Sequence, residues 1–119
     1  SFVQTDYSLE QAYNLGDTIV SFNPSAVICA TDNIALGLLR YFHEKKIHVP
    51  QDISLAGFGG YPVGSISYPS LTSLAFDYKH LGIKTVEKLL SMLQNQPVTS
   101  EYDHNMNLII RESTRLAKI

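Results

Sequence analysis

Between Ala26 and Tyr61, the apolar and polar positions follow the pattern of a strand, a helix and a second strand. The run AVICA at 26–30 is apolar at every position, which is typical of a strand buried on both faces of a parallel sheet. NIALGLLRYFHEKKI at 33–47 has helical spacing, and ISLAG at 53–57 is a second buried run. A unit of this length predicts one right-handed crossover between two parallel strands.

This unit places two loops at the carboxyl ends of its strands, Thr31-Asp32 and residues 57–61. Parallel strands end at the same edge of a sheet, so we expect the loops to lie side by side, where open α/β sheets bind ligands. Asp32 is the expected N-cap of the helix, which leaves the Thr31 hydroxyl facing the crevice. The sequence GFGG lacks the further glycine and the following helix of a dinucleotide fingerprint. It therefore predicts a tight turn or a close approach of the backbone to a ligand.

Two further helices are predicted from their caps. Ser8 and Gln11 form a capping-box pattern that starts a helix over about 9–21, and Asp77 is the expected N-cap of a helix over 78–94. The core side of this later helix is expected to consist of Leu81, Thr85, Val86, Leu89 and Leu93.

The remaining segments complete an α/β pattern. PVGSISYPS at 62–70 has two prolines and no helical period, which predicts a loop. Strands are predicted at 71–76 and 106–113. We therefore expect an α/β fold with a parallel sheet flanked by helices.

The central helix contains one misfit. On a helical wheel Leu36 falls outside the apolar arc, beside Arg40 and His43. Gly37 lowers helix stability, which indicates close approach by another segment. Together Leu36 and Gly37 suggest a partner surface, most simply that of a symmetric dimer.

Composition and charge exclude several function classes. A chain of 119 residues can bury one modest core, and its net charge of −2 provides no basic field for nucleic acid. The single cysteine, Cys29, excludes an internal disulfide, is compatible with a reducing compartment and is expected to be a buried apolar side chain. No apolar run approaches membrane-spanning length.

The sequence shows no pattern of catalytic or metal chemistry. It contains no nucleophile elbow, no zinc-protease motif and no acid/base dyad, so we expect no enzyme activity and no cofactor. The histidines have no ligand spacing, so no metal site is expected; they are His43, His48, His80 and His104.

At this point the ordered motifs identify a family. The string AVICATDNIALGLLRYFHEKKIHVPQDISLAGFGG resembles the effector-domain segment of the LacI/GalR family of bacterial transcription factors. YPSLTS at 68–73, Asp77-Tyr78 before Leu81, and IREST at 110–114 are similar to later motifs of that family. The similarity runs over nearly the whole chain, and it is the ordered set that is specific.

The resemblance implies a periplasmic-binding-protein-like effector domain of two lobes, preceded by a helix-turn-helix headpiece. Residues 1–70 and 98–119 would belong to the C-terminal lobe and residues 72–96 to the N-terminal lobe. The chain begins SFVQTDYS without an initiator Met, so we expect residues 1–119 to be a partial effector-binding domain without its headpiece. Effector binding between the lobes would shift their orientation and change the DNA affinity of the headpieces.

The family also implies partners and site residues. The partners are a sugar or sugar phosphate effector, a second copy in a homodimer, and operator DNA through the headpiece, in the cytoplasm and with no membrane. The implied effector contacts are Tyr7, Thr31, Gly59, Gly60, Tyr61 and Tyr78. The implied dimer contacts are Leu36, Arg40, Ile66 and Ser67.

Two positions depart from the family pattern. Thr31 stands where the family usually has Asn, and Gly59 stands where it usually has the Asp that hydrogen-bonds sugar hydroxyls. A glycine at position 59 would make more room and expose backbone N–H groups. We therefore expect an effector that is larger than a simple hexose or bound differently, such as a disaccharide or sugar phosphate. The loop GFGGY looks most like that of repressors of sucrose or trehalose-type operons.

The leading hypothesis is a sugar-responsive transcriptional repressor, with this chain contributing to effector binding and dimerisation. A secreted sugar-binding protein of a transport system would share the fold and is the first alternative. An α/β enzyme with a cofactor on the glycine loop is the second, and the missing fingerprint weighs against it.

Overall fold

The computed structural model describes residues 1–100 and 105–117, so His104 lies outside the described residues. The helices are α1 (Leu9–Asn14), α2 (Gly16–Ser21), α3 (Asp32–Glu44), α4 (Val63–Ile66) and α5 (Tyr78–Leu93). The strands are β1 (Ala26–Ile28), β2 (Ser54–Gly59), β3 (Thr72–Phe76) and β4 (Met106–Ile109). The sheet order is β1-β2-β3-β4, and both β1–β2 and β2–β3 are parallel. The predicted α/β fold is confirmed.

The β1–α3–β2 unit forms the centre of the fold. Ala26 lies opposite Ser54 and Ile28 opposite Ala56, so α3 connects two parallel neighbours. The apolar arc of α3 is buried as its spacing predicts, at Ile34, Ala35, Leu38, Leu39, Tyr41 and Phe42. These side chains pack with Leu55 and Leu71 in one hydrophobic core. Burial of their apolar surface is the main free-energy term that favours folding of this unit.

β1 does not match the prediction of a strand buried on both faces. It is an edge strand of three residues, and the Ile28 side chain is 85% exposed. A run of apolar residues is buried on both faces only where both are covered, and no described segment covers the side to which Ile28 points. Cys29 follows the strand and is buried, as expected.

The predicted helix over 9–21 is two helices in the structure. Ser8 caps α1 as expected, because its Oγ accepts the Gln11 N–H at 3.1 Å. Leu15 then serves as both the C-cap of α1 and the N-cap of α2. Gly16 lies so close to the Tyr41 ring that a Cβ atom on Gly16 would overlap the ring. The break between the two helices therefore lets the start of α2 pack against Tyr41.

Gly37 marks a close approach within the chain and not a partner surface. A Cβ on Gly37 would overlap the Leu9 carbonyl and lie 2.9 Å from the Ala12 Cβ, so α1 packs directly on α3. Leu36 is half-buried and packs against the core, so it is less of a misfit than the wheel suggested. The inference that Gly37 indicates a dimer is therefore wrong.

The segment after β4 joins the amino ends of two strands. The Ser113 hydroxyl donates to the Leu55 carbonyl at 2.6 Å and accepts the Thr72 N–H at 2.8 Å. The Ser113 N–H donates to the Ser70 carbonyl, and its own carbonyl accepts the Leu55 N–H. Ser113 is fully buried, so every one of these polar groups needs the partner it has.

The chain divides into two compact units, Ser1–Ala75 with Leu108–Ile119 and Phe76–Asn107. In the second unit Asp77 caps α5 as predicted, accepting the His80 N–H at 2.9 Å. No residue of α5 is buried, so the expected core stripe is wrong for the described chain. An amphipathic helix buries its apolar face only where another element covers it, and the described part of this unit contains none that does. Within the described residues, no helix has both the length and the apolarity for a membrane crossing.

Candidate functional site

The two loops at the carboxyl edge of the sheet meet as expected. The Tyr61 N–H donates to Asp32 Oδ2 at 2.6 Å, which joins the loop after β2 to the first turn of α3. This adjacency follows from the parallel pairing of β1 and β2, since both strands end at that edge.

The N-cap of α3 is Thr31 and not Asp32, so the predicted cap is wrong. Thr31 has an extended backbone and is the N-cap, because its Oγ1 accepts the Ile34 N–H at 3.3 Å. Asp32 is already helical and is fully buried. Its carboxylate therefore faces the sheet. The Thr31 hydroxyl, which was expected to face the crevice, also caps α3 through its oxygen.

The carboxyl edge of the sheet also contains two fully buried polar side chains, Asp32 and Ser73, which the set of residues predicted for the site does not include. The Ser73 hydroxyl donates to Asp32 Oδ1 at 2.6 Å and accepts the Gly60 N–H at 3.0 Å. Gly57 makes this possible, because a Cβ there would overlap Asp32 Oδ1. The signal in the sequence was a serine inside the apolar strand LTSLAF, since a buried hydroxyl requires a partner.

The glycines of this loop adopt conformations that other residues avoid. Gly59 has φ +122° and Gly60 has φ +70°, and a Cβ on Gly60 would overlap Ala75 of β3. A Cβ on Gly59 would lie 2.9 Å from Cε1 of Tyr61, so the tyrosine ring covers this glycine. Gly59 therefore does not leave the extra room that its small size suggested. The N–H groups of Gly60 and Tyr61 both donate hydrogen bonds inside the protein, so the expectation that a glycine at position 59 exposes free backbone N–H groups does not hold for these two.

The segment after this loop contains one helical turn, α4, where a loop was predicted. Pro62 has φ −53°, which favours a helical start, and the Gly64 N–H donates to the Tyr61 carbonyl at 3.0 Å. The Leu71 N–H donates to the Gly64 carbonyl at 2.7 Å, so α4 is tied to the start of β3. A four-residue helix is too short to show a period in the sequence.

The other aromatic candidates lie apart from this network. Tyr7 is 74% exposed and lines a largely aliphatic cavity of about 690 Å³ along β1, which includes neither Thr31 nor the 59–61 loop. Tyr78 is the first residue of α5 in the second unit, is half-exposed, and its ring contacts that of Phe76 at 5.9 Å. The structure therefore joins Asp32, the residue after Thr31, to the 59–61 loop within the first unit, and it does not place Tyr7 in this network.

The charge of Asp32 acts on its surroundings. Burial, together with the nearby Asp32 carboxylate, raises the pKa of the Cys29 thiol to about 12. This thiol is therefore uncharged and unreactive at neutral pH.

Of the four residues assigned to a dimer, Ile66 is the most exposed, at 83%. Arg40 forms an ion pair with Glu44 at 3.1 Å and lies 5.7 Å from the centre of the Tyr13 ring. The Ser67 hydroxyl donates to carbonyl groups of its own loop. Ile66 is thus the apolar side chain that a partner could cover most readily.

The described histidines do not form a metal centre. His48 lies 3.2 Å from Asp52, and His43 is exposed on α3. In the part of the chain that the structure describes, no three His, Cys, Asp or Glu side chains are grouped so that they could hold a metal ion.

Comparison with known proteins matches this chain to one domain family and to a set of regulators. The periplasmic binding protein-like domain family matches residues 2–114. The ribose operon repressor of Halalkalibacterium halodurans is 25% identical over 116 residues, which are 95% of this chain and 35% of that protein. The chain thus spans about a third of the curated relatives it matches.

Solved structures show the same fold. A LacI family transcriptional regulator from Enterococcus faecium with bound ribose has a TM-score of 0.89 at 24% identity, over 96% of this chain and 43% of that one. The lac repressor dimer bound to operator and the anti-inducer ONPF has a TM-score of 0.84 at 29% identity, over 92% of this chain and 39% of that one.

Proposed function

Since the chain belongs to the periplasmic binding protein-like domain family, we propose that it is part of the effector-binding domain of a sugar-responsive transcriptional repressor of the LacI type. The observation that carries this proposal is the joined pair of loops at the carboxyl edge of the sheet, where Tyr61 is bonded to Asp32. A parallel sheet binds ligands at such an edge. The named relatives are repressors or regulators, which favours this function over the transport-protein alternative.

The residues assigned to the effector are Tyr7, Thr31, Gly59, Gly60, Tyr61 and Tyr78. In this proposal Tyr7 offers an aromatic face to a sugar ring, and the Thr31 hydroxyl can still donate while its oxygen caps α3. Tyr78 lies in the segment that we assign to the N-terminal lobe. We assign residues 1–70 and 98–119 to the C-terminal lobe and 72–96 to the N-terminal lobe.

The proposed mechanism couples the sugar to operator DNA. The effector binds better to one arrangement of the lobes than to the other and so shifts their populations. The helix-turn-helix that contacts operator DNA lies outside this chain, whose net charge of −2 does not favour DNA phosphates. Leu36, Arg40, Ile66 and Ser67 form the proposed contact with a second copy, and the repressor acts in the cytoplasm.

Calorimetry on the natural full-length protein tests the effector class. Titrations with ribose, lactose and sucrose are compared with adenine and with a free amino acid. We expect one of the sugars to bind, and Tyr7→Ala to weaken that binding by about tenfold through loss of an aromatic face. Tyr68→Ala is the matched control, because Tyr68 is 90% exposed and precedes the opposite, amino end of β3. Binding of adenine or the amino acid with no sugar bound would contradict the proposal.

A further inference from the structure

Tyr61 takes the place of the side chain that position 59 lacks. A Cβ atom on Gly59 would lie 2.9 Å from Cε1 and 3.2 Å from Cζ of the Tyr61 ring. Gly59 is buried, whereas Tyr61 is half-buried, so the ring covers the glycine and keeps part of its own surface open. The end of β2 therefore presents an aromatic ring in place of bare backbone.

Three hydrogen bonds fix the backbone that carries this ring. Asp32 accepts the Tyr61 N–H and the Ser73 O–H, each at 2.6 Å, and Ser73 accepts the Gly60 N–H at 3.0 Å. Asp32 and Ser73 are both fully buried, where bonds to a charged acceptor are strong. Moving the loop would take the Tyr61 N–H away from Asp32 Oδ2 and leave that buried carboxylate oxygen without this donor, which is costly, so the position of the ring is tightly held.

The same bonds limit what this part of the site can recognise. Loops that bind phosphate do so with free backbone N–H groups, but those of Gly60 and Tyr61 are already donated inside the protein. The Asp32 carboxylate lies 2.6 Å from the Tyr61 nitrogen and repels an anion that approaches this nitrogen. The part of the half-buried Tyr61 ring that stays open suits the C–H surface of an uncharged sugar ring.

We propose that Tyr61 determines specificity by stacking on an uncharged sugar ring, and that Asp32 and Ser73 are the residues that position it. This inference rests on the proposed function, since it places a sugar at this edge of the sheet. It selects the uncharged saccharide over the sugar phosphate among the two effector classes expected from the sequence.

The binding experiment uses the natural full-length protein and the sugars ribose, lactose and sucrose, with ribose 5-phosphate and sucrose 6-phosphate. We expect Tyr61→Ala to weaken binding of the recognised sugar by about tenfold and Tyr61→Phe to change it by less than about threefold, since the phenylalanine keeps the ring. Tyr68→Ala, at an exposed tyrosine before β3, serves as the control. We expect the phosphate esters not to bind.

The positioning role needs a readout other than affinity. With 3-fluorotyrosine incorporated, the ¹⁹F resonance of Tyr61 is the one that disappears in Tyr61→Phe. Asp32→Asn and Ser73→Ala are expected to shift or broaden this resonance and to weaken sugar binding, while the resonance of Tyr68 stays in place. A general loss of folding would move both resonances, and thermal unfolding detects it separately.

The outcomes separate the two proposals. Sugar binding that Tyr61→Ala leaves unchanged, tighter binding of a phosphate ester, or an unmoved Tyr61 resonance in Asp32→Asn would overturn the inference and leave the proposed function intact. A protein that binds adenine or a free amino acid, and none of the sugars or phosphate esters, overturns the proposed function, and this inference with it.

Discussion

At the scale of single residues, Tyr41 makes several contacts at once in the first unit. Its side chain is only 5% exposed, its ring lies against Gly16, and its hydroxyl donates to Asp17 Oδ1 at 2.5 Å. The rings of Tyr13 and Phe42 meet it edge-on at 5.7 and 6.0 Å. Tyr41 thus anchors α2 to α3 through one side chain.

The hydrogen bond to Asp17, followed by burial, raises the pKa of Tyr41 to about 12. The folded state therefore holds this proton more tightly than the unfolded chain, in which the pKa is about 10. The resulting stability is fully present below pH about 10 and is lost as the pH rises through about 12.

Tyr41→Phe tests this linkage. We expect the variant to have a lower melting temperature than the unaltered protein at neutral pH, because the bond to Asp17 is lost. The difference should stay constant up to pH about 10 and shrink above it. Thermal unfolding across this range measures it, with Tyr68→Phe at an exposed tyrosine as the control. A difference that is unchanged above pH about 12 would contradict this assignment.

At the scale of elements, two helical glycines have opposite surroundings. Gly37 of α3 faces the Leu9 carbonyl and the Ala12 Cβ of α1, so an added methyl group has no room. Around the position that the Cβ of Gly82 in α5 would take, the described residues place no atom within 4 Å, apart from its chain neighbours and the backbone of its own helix. Replacing each glycine by alanine therefore distinguishes the effect of helix propensity, at Gly82, from the effect of packing, at Gly37.

We expect Gly37→Ala to destabilise the first unit by about 1–3 kcal/mol through overpacking of α1 on α3. Gly82→Ala should stabilise α5 by about 0.5–1 kcal/mol, because alanine is the better helix former and no described side chain lies close to the added methyl group. Urea unfolding of this chain, followed by circular dichroism, measures both. A Gly37→Ala variant as stable as the unaltered chain would show that α1 is not packed against α3 as described.

The element scale also shows which patterns the sequence could and could not specify. The β1–α3–β2 unit, the cap at Ser8 and the cap at Asp77 were predicted, because periodicity and capping depend on residues within one or two turns. The break at Leu15 was missed, because it accommodates the Tyr41 ring from a distant helix. The turn α4 was missed because four residues carry no period.

At the scale of the whole molecule, the proposed dimer can be tested directly by measuring the molecular mass in solution. Ile66 is 83% exposed, whereas Leu36 packs partly against its own core. A charged side chain placed in an apolar interface is buried without an opposite charge on association, and this disfavours the dimer.

We therefore expect Ile66→Asp in the full-length protein to yield monomers by light scattering, and Leu36→Asp to do so with an additional loss of stability. Gln51→Asp adds the same charge at an exposed polar position in the loop before β2 and should leave the dimer intact. If the Ile66→Asp variant is still a dimer, Ile66 is not part of the interface.

The alternation of apolar runs and helical spacing was sufficient to specify the α/β class and the meeting of the Thr31 and Gly59 loops, because parallel strands must end at one edge. Only the tertiary structure decided what lies at that edge. Asp32 bonds to residues 29 and 41 positions away in the chain, and Tyr61 covers Gly59 because those bonds hold its backbone. From the sequence, Asp32 was predicted to be the N-cap of α3 and not its neighbour Thr31. In the structure Thr31 is the N-cap instead. The buried Asp32 carboxylate accepts hydrogen bonds from Tyr61 and Ser73, which are too distant in the chain for a local pattern to include.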